Sequence, residues 1–354
     1  MPQLLHVSLN ATLQLVLCAF VGVLLARRGL FTRDARRSLA KVIMWAMLPA
    51  LLIASLGQEA SPETVRQYLG VMLAVPVLVL CGFLAGRLLA LLLRIPADLR
   101  PLVTAASTFG NASYVPLPFL AAICATTAFP GLTAEQATAR SVTYVSLYLM
   151  CYSPTLWCVG FPYLSGKRLR DLRLAQIVNP PLMGSAIGVT IAFIPPLHDA
   201  FFGDGAPLAV VIDTLRLLAK GVFPCALLLL GANLCGAPQT AGDGAGDSLP
   251  ASDRCPLNGY LCVIAGKLLV MPLFGLAYTW LAWKSGLIPH DPILALVILV
   301  ESAVPPANNL IIMCQTHGRG ELPMSRMLFA AYCTSIATLT LWTSLFLRLV
   351  MSLD

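Results

Sequence analysis

The sequence is short of charge. Only 11% of its 354 residues are Asp, Glu, Lys or Arg, less than half of the roughly 25% usual in a soluble globular domain. Apolar side chains make up 58% of the chain and the mean hydropathy is +0.82. These values exclude a soluble fold and point to an integral membrane protein, whose spanning helices each need roughly 20 mostly apolar residues. Other absences narrow the function. The histidines His6, His198, His290 and His317 are scattered and none stands in a His-Glu-x-x-His pair, so intramembrane metal hydrolysis has no support. No glycine-rich run ends in Lys-Ser or Lys-Thr, so the chain carries no phosphate-binding loop and no ATPase of its own. No two cysteines are spaced Cys-x-x-Cys, and nearly all of the 11 lie inside apolar runs. They read as small hydrophobic residues rather than metal ligands or a disulfide framework. No enzyme, cofactor or metal is therefore expected. The net charge of +7 follows the membrane and is not a nucleic-acid signal. Residues 1–9 carry no Lys or Arg before an apolar run long enough to span, so no cleavable signal is expected.

What is there is a succession of apolar segments. About ten spans are expected, near 7–25, 38–56, 68–93, 102–126, 141–163, 174–195, 208–235, 258–283, 292–315 and 325–350, each bounded to within a few residues. Most of the 23 Lys and Arg fall in alternate connections: Arg27 to Lys41, Arg87 to Arg100, Lys167 to Arg173, Arg254 with Lys267, and Arg319 with Arg326. The positive-inside rule places those connections in the cytoplasm and both termini on the other side.

The fourth and ninth spans differ from the rest. The fourth carries Gly110, Asn111, Ser113, Tyr114, Pro116 and Pro118 at its middle; the ninth carries Pro305, Pro306, Asn308 and Asn309. Proline cannot continue a helix cleanly and donates no N–H, and in hydrocarbon the freed carbonyls must find other partners. Each of these spans is therefore expected to be two half-helices with polar side chains at the break. As both are the fourth member of a five-span half, the layout implies two inverted repeats with the breaks facing each other at the midplane. The expected division is a first repeat over 1–163, a short cytoplasmic linker over 164–173 and a second repeat over 174–354, with a flexible loop at 236–257 rich in Gly, Ser, Asp and Pro.

Asparagine offers donors and an acceptor without a charge to desolvate, and half-helix N-termini favour anions. The two breaks are thus the candidate site for a small carboxylate. The plainer alternative is that the asparagines only satisfy carbonyls freed by the prolines. Glu301, four residues before Pro305, is an ionisable group at membrane depth and a candidate for proton or ion coupling. A structural bond, for instance to Lys267, is its plainer role. Asp213, Arg216 and Lys220 share one helix face near the outer end and read as an interfacial network. Tyr144, Tyr148 and Tyr152 are compatible with a cavity wall or with packing.

Several motifs together resemble the auxin efflux carrier family, and the PIN-LIKES group within it more than the PIN-FORMED one. They are Pro305-Pro-Ala-Asn-Asn309, Phe223-Pro-Cys-Ala-Leu-Leu-Leu-Leu-Gly-Ala-Asn-Leu234, Asn179-Pro-Pro-Leu-Met183, Leu48-Pro-Ala-Leu51, Gly110-Asn111 through Pro116-Leu-Pro118, and Trp342. The resemblance implies an all-α membrane fold of two inverted five-helix repeats with crossed, proline-broken fourth and ninth helices. It implies carriage of auxin or a similar amphipathic weak acid by alternating access. Asn111 and Asn309 match the crossover asparagines, and Pro116, Pro305 and Pro306 the crossover prolines. The connection Ser165-Gly-Lys-Arg-Leu-Arg-Asp171 is short, which favours the PIN-LIKES side and the endoplasmic reticulum membrane over the plasma membrane. Asn308 stands where an apolar residue is expected and Glu301 where an uncharged one is usual, so this site is the more polar. The expected partners are an organic anion, the lipid bilayer and a second copy of the chain in a homodimer, with no nucleic acid. A cation-coupled symporter of the same fold and a non-transporting ligand receptor are the competing functions.

Overall fold

A computed structural model describes residues 2–59, 62–166, 180–203, 205–235 and 255–352. The linker expected at 164–173 lies mostly outside the described residues, as do most of the loop expected at 236–257 and Asn179. The described chain is helical: α1 (Pro2–Arg27), α2 (Arg33–Val42), α3 (Leu48–Glu59), α4 (Pro62–Leu92), α5 (Arg100–Thr108), α6 (Pro116–Thr126), α7 (Ala134–Thr155), α8 (Phe161–Ser165), α9 (Pro180–Phe193), α10 (Pro195–Phe202), α11 (Ala209–Lys220), α12 (Val222–Cys235), α13 (Leu257–Val263), α14 (Met271–Lys284), α15 (Pro292–Ala303), α16 (Asn309–His317) and α17 (Glu321–Met351).

Three π-helical segments, Ile43–Met47, Leu156–Gly160 and Ile264–Val270, join α2 to α3, α7 to α8 and α13 to α14. Each ends two residues before a proline: Pro49, Pro162 and Pro272. A proline ring collides with the carbonyl four residues back and gives it no hydrogen bond; that carbonyl belongs to Trp45, Cys158 or Leu268, inside the π segment each time. A wider turn relieves the collision and keeps the helix running. At the third segment the freed carbonyl has a new partner, because Trp342 Nε1 donates to Leu268 O at 2.9 Å.

Six helical stretches are long and apolar enough to cross a membrane: His6–Arg27, Asp34–Gln58, Leu69–Leu92, Ala209–Asn233, Leu257–Lys284 and Glu321–Met351. The pair α9 and α10, bent by 104°, would make a seventh. The protein is thus a multi-pass helical membrane protein, and these stretches match six of the expected spans. The expected fourth and ninth spans are instead pairs of short helices, α5 with α6 and α15 with α16, where the sequence reading placed half-helices. Exposed leucines along α1 and α4, such as Leu17, Leu84 and Leu88, face outward as in a lipid-contacting surface.

The short helices form the core. In α15 every residue from Ile293 to Ala303 is buried, and a helix apolar all round belongs at a centre. It starts cleanly, with Pro292 in its first turn and the Asp291 side chain accepting from the N–H groups of Ile293 and Leu294. It ends at Val304, which is extended at φ −64° and ψ 151° because the following Pro305 disfavours the helical conformation there. Around this core, α1 packs chiefly on α12 and α3 on α9. Small residues let these backbones touch: a Cβ on Gly231 would strike the Ala19 carbonyl, and one on Gly22 that of Leu228.

Candidate functional site: a backbone crossover and two cavities

The two breaks meet. Gly110 and Pro306 form an isolated antiparallel bridge; Asn111 N donates to Pro305 O at 2.8 Å and Ala307 N to Phe109 O at 2.9 Å. The prolines that remove donors from one strand leave a carbonyl that the other strand's amide takes up, which answers the demand for internal satisfaction inside a bilayer. Tyr152 from α7 adds a third bond, its hydroxyl donating to Gly110 O at 2.5 Å.

The asparagines on the two sides are used differently. Asn111 is 4% exposed and engaged at both its amide nitrogen and its oxygen. Its Nδ2 donates to the Tyr332 hydroxyl at 2.6 Å, and its Oδ1 accepts from Tyr114 N at 3.0 Å and Ser113 N at 3.4 Å. It orders the turn that leads into α6, where Pro116 takes the first helical position. Its side chain takes up no proline-freed carbonyl; its partners are one hydroxyl and two backbone N–H groups. Asn308 and Asn309, at the start of α16, are half-buried, and neither side-chain amide is hydrogen-bonded among the described residues. The structure therefore brings Asn111, Ser113, Tyr114, Pro116, Pro305 and Pro306 together at one junction, with Asn308 and Asn309 just beyond it.

A cavity of about 790 Å³ opens beside this junction, within the size range of small-molecule sites. Val115, Pro305 and Tyr332 line it beside the junction, with α1 and Leu230 on one side and α17 on the other. Its lining is mostly aliphatic and aromatic, but Arg27 and Arg326 line it as well. Neither guanidinium has an ion-pair partner among the described residues. The Thr340 hydroxyl donates to Thr12 Oγ1 at 2.9 Å, tying α17 to α1.

A second, far smaller space of about 10 Å³ lies at the same junction and shares no lining residue with the first. Its lining includes Gly110, Tyr148, Tyr152, Lys267 and Glu301. Here the charge assignment from sequence needs correcting. Lys267, grouped above with the basic residues of a cytoplasmic connection, is 2% exposed inside the π segment Ile264–Val270. Its Nζ donates to Ser302 O at 3.4 Å, placing a cation at the C-terminal, negative end of α15. Glu301 is also 2% exposed, and neither of its carboxyl oxygens has a hydrogen-bond partner among the described residues; the bond to Lys267 considered for it does not form. Away from the junction, Arg216 pairs with Asp213 at 3.2 Å and donates to Gln58 at 2.9 Å; Lys220, expected in the same network, does not join these bonds.

Sequence reasoning missed Tyr332, Arg27 and Arg326 as site residues. Tyr332 lies within a small and polar run, Ala330-Ala-Tyr-Cys-Thr-Ser335, in an otherwise apolar span, which is the signal that could have found it. The arginines were read only for topology, and nothing in their spacing marks a shared cavity.

A family model described as "Membrane transport protein" matches residues 7–170 and 166–343. Among curated proteins, PIN-LIKES 5 and PIN-LIKES 3 of Arabidopsis thaliana are each 24% identical over 98% of this chain and 98% of their own lengths. An uncharacterized transporter of Schizosaccharomyces pombe is 20% identical over 93% of this chain and 92% of its own.

Proposed function

Because the chain belongs to the membrane transport protein family, with PIN-LIKES proteins among its relatives, we propose that it is a secondary carrier of small amphipathic organic anions of the auxin type. The observation that carries this reading is the cavity running from the crossover to Arg27 and Arg326. An aliphatic and aromatic lining suits a flat apolar body such as indole, and guanidiniums with no ion-pair partner among the described residues suit a carboxylate. On the positive-inside assignment the arginine end faces the cytoplasm, so an anion would be drawn in from that side.

Transport proceeds in this proposal by alternating access. The helices fall into two groups, α1, α3, α9 and α12 on one side and the crossover with α17 on the other, and the cavity lies between them. Rocking one group against the other closes the cytoplasmic mouth and exposes the crossover to the far side. The Thr12–Thr340 bond is a contact that such a motion breaks. In this picture the chain has ten spans in two inverted five-span repeats, supported by the antiparallel meeting of the two breaks. The free amides of Asn308 and Asn309 at the start of α16 supply uncharged donors and acceptors for the substrate as it passes. The endoplasmic reticulum membrane is the proposed location, on the likeness to PIN-LIKES proteins and this chain's own short central connection.

Uptake of labelled indole-3-acetate into proteoliposomes tests the reading. Saturable, protein-dependent uptake that Arg27→Gln with Arg326→Gln weakens is the expected result. Uptake indistinguishable from protein-free vesicles, with a panel of other small aromatic and aliphatic carboxylates also unmoved, would reject it.

A further inference from the structure

We propose that Lys267 and Glu301 form a proton-exchange site inside the crossover, taking up and giving back one proton in each transport cycle. The proposal rests on the carrier reading and adds the coupling ion to it.

Three observations lead there. Both groups are nearly inaccessible and line one small space of about 10 Å³, room for about one water molecule. Glu301 is left without a hydrogen-bond partner among the described residues, although burying an unpaired charge costs several kcal/mol. A structural role for Lys267, holding the C-terminal end of α15 through Ser302 O, accounts for the lysine and leaves the carboxyl unexplained. An aliphatic side chain at 301 would pack the same place without that cost. Finally, the lysine sits against the moving part: a Cβ on Gly110, the residue that bridges to Pro306, would lie 2.7 Å from Lys267 Nζ.

The other groups facing the pair are accounted for. From α7 come Tyr148 and Tyr152, the latter's hydroxyl already donating to Gly110 O. The Thr108 hydroxyl donates to Thr104 O and that of Ser302 to Leu299 O. The sides toward α4 and α14 are apolar, with Leu78, Val79 and Met271. No third carboxylate or cation lines the space.

The step is a simple exchange. In the arrangement described, the Glu301 carboxyl holds its proton and the Lys267 ammonium donates to Ser302 O. Lys267, Ser302 and Glu301 line the same small space, so a displacement of the crossover moves the ammonium from that carbonyl to the carboxyl. The Glu301 O–H bond then breaks, the proton passes to water reaching the space, and the carboxylate is left paired with the ammonium. Reversal on the other side of the membrane takes a proton back. No other reactant is needed.

Two readouts test this on the full-length protein in proteoliposomes. The first is initial uptake of labelled indole-3-acetate with and without an imposed gradient of one pH unit, about a tenfold ratio of proton activity, corrected for protein-free vesicles. Wild type should respond to the gradient, while Glu301→Gln and Lys267→Gln should retain exchange of labelled for unlabelled substrate but give the same rate with and without it. Lys267→Arg and Glu301→Asp, which keep the charges, should respond in part and guard against loss through misfolding. The second readout is independent of substrate: infrared difference spectra between acidic and alkaline buffer should contain a protonated-carboxyl band that Glu301→Gln removes and Lys267→Gln shifts. A gradient response in Glu301→Gln equal to wild type would overturn the proposal. So would an absent Glu301 band. If wild type moves no carboxylate at all, the carrier reading fails by itself, and the infrared band still decides whether the proton site exists.

Discussion

The contrast between Asn111 and Asn309 is the sharpest consequence of the crossover geometry. Both asparagines are expected to be crossover residues, yet only Asn111 spends its amide on the protein. Asn111→Ala removes the oxygen that accepts from Tyr114 N and Ser113 N; loss of a side-chain cap costs about 0.5–2 kcal/mol. It also strips the buried Tyr332 hydroxyl of its bond to Asn111 Nδ2, and an unsatisfied buried polar group costs about 1–3 kcal/mol. The two effects share one side chain and need not add, so a destabilisation of about 2–4 kcal/mol is expected. The backbone bond from Asn111 N to Pro305 O survives the substitution, so the junction weakens without disappearing. Asn111→Ser, which keeps a capping oxygen, should recover part of the loss. Asn309→Ala removes no hydrogen bond among the described residues and should leave stability within about 0.5 kcal/mol. If its amide meets the substrate, its loss forfeits about 0.5–1.5 kcal/mol of binding, roughly a two- to twelvefold rise in KM. Thermal unfolding of the purified variants, followed by uptake of labelled indole-3-acetate, separates these roles. A variant Asn309→Ala as unstable as Asn111→Ala, or an Asn111→Ala protein as stable as wild type, would refute the reasoning.

Other outcomes follow from the same contacts. Gly110→Ala drives a methyl to 2.7 Å from Lys267 Nζ and 3.0 Å from Val304 Cγ2; overpacking of this kind costs about 1–3 kcal/mol and should lower the unfolding temperature. Trp342→Phe leaves the Leu268 carbonyl without its Nε1 donor and should destabilise by about 1–3 kcal/mol, whereas Trp280→Phe, a 61% exposed side chain, should not. Cys333 lines the large cavity; a bulky maleimide on it should block uptake, indole-3-acetate should slow the labelling, and Cys333→Ser should remove the sensitivity.

The sequence made the breaks legible because proline chemistry is local. Pro116, Pro305 and Pro306 announce missing donors wherever they fold, and the asparagines beside them announce where replacement partners are needed. The π segments were not legible in this way: each stands two residues before Pro49, Pro162 or Pro272, but Pro76 and Pro154 lie inside helices with no π segment before them. Nor was the division of labour between Asn111 and Asn309, because it depends on Tyr332, 221 positions away from Asn111 along the chain. Lys267 shows the opposite error. Counted as a charge it looked like one more cytoplasmic basic residue, and only packing reveals that a π-widened turn buries it against the end of α15. The cavity, too, joins residues from α1, α12 and α17 that no spacing connects. Likeness to the PIN-LIKES proteins spans almost the entire chain, so the broken-span pattern could be recognised as a whole while its individual contacts could not.

The central claim is that an organic anion enters the cavity between Arg27, Arg326 and the crossover and is carried across. The most direct test is uptake into proteoliposomes of labelled indole-3-acetate beside labelled neutral indole-3-acetamide, for wild type and for Arg27→Gln with Arg326→Gln. The account predicts saturable uptake of the carboxylate by wild type, a KM raised about two- to fivefold in the arginine variant, as expected for solvent-accessible charges, of which Arg27 is exposed and Arg326 half-buried, and no such change in whatever passage the amide shows. Equal handling of acid and amide by wild type, or an unchanged KM in the variant, would contradict it.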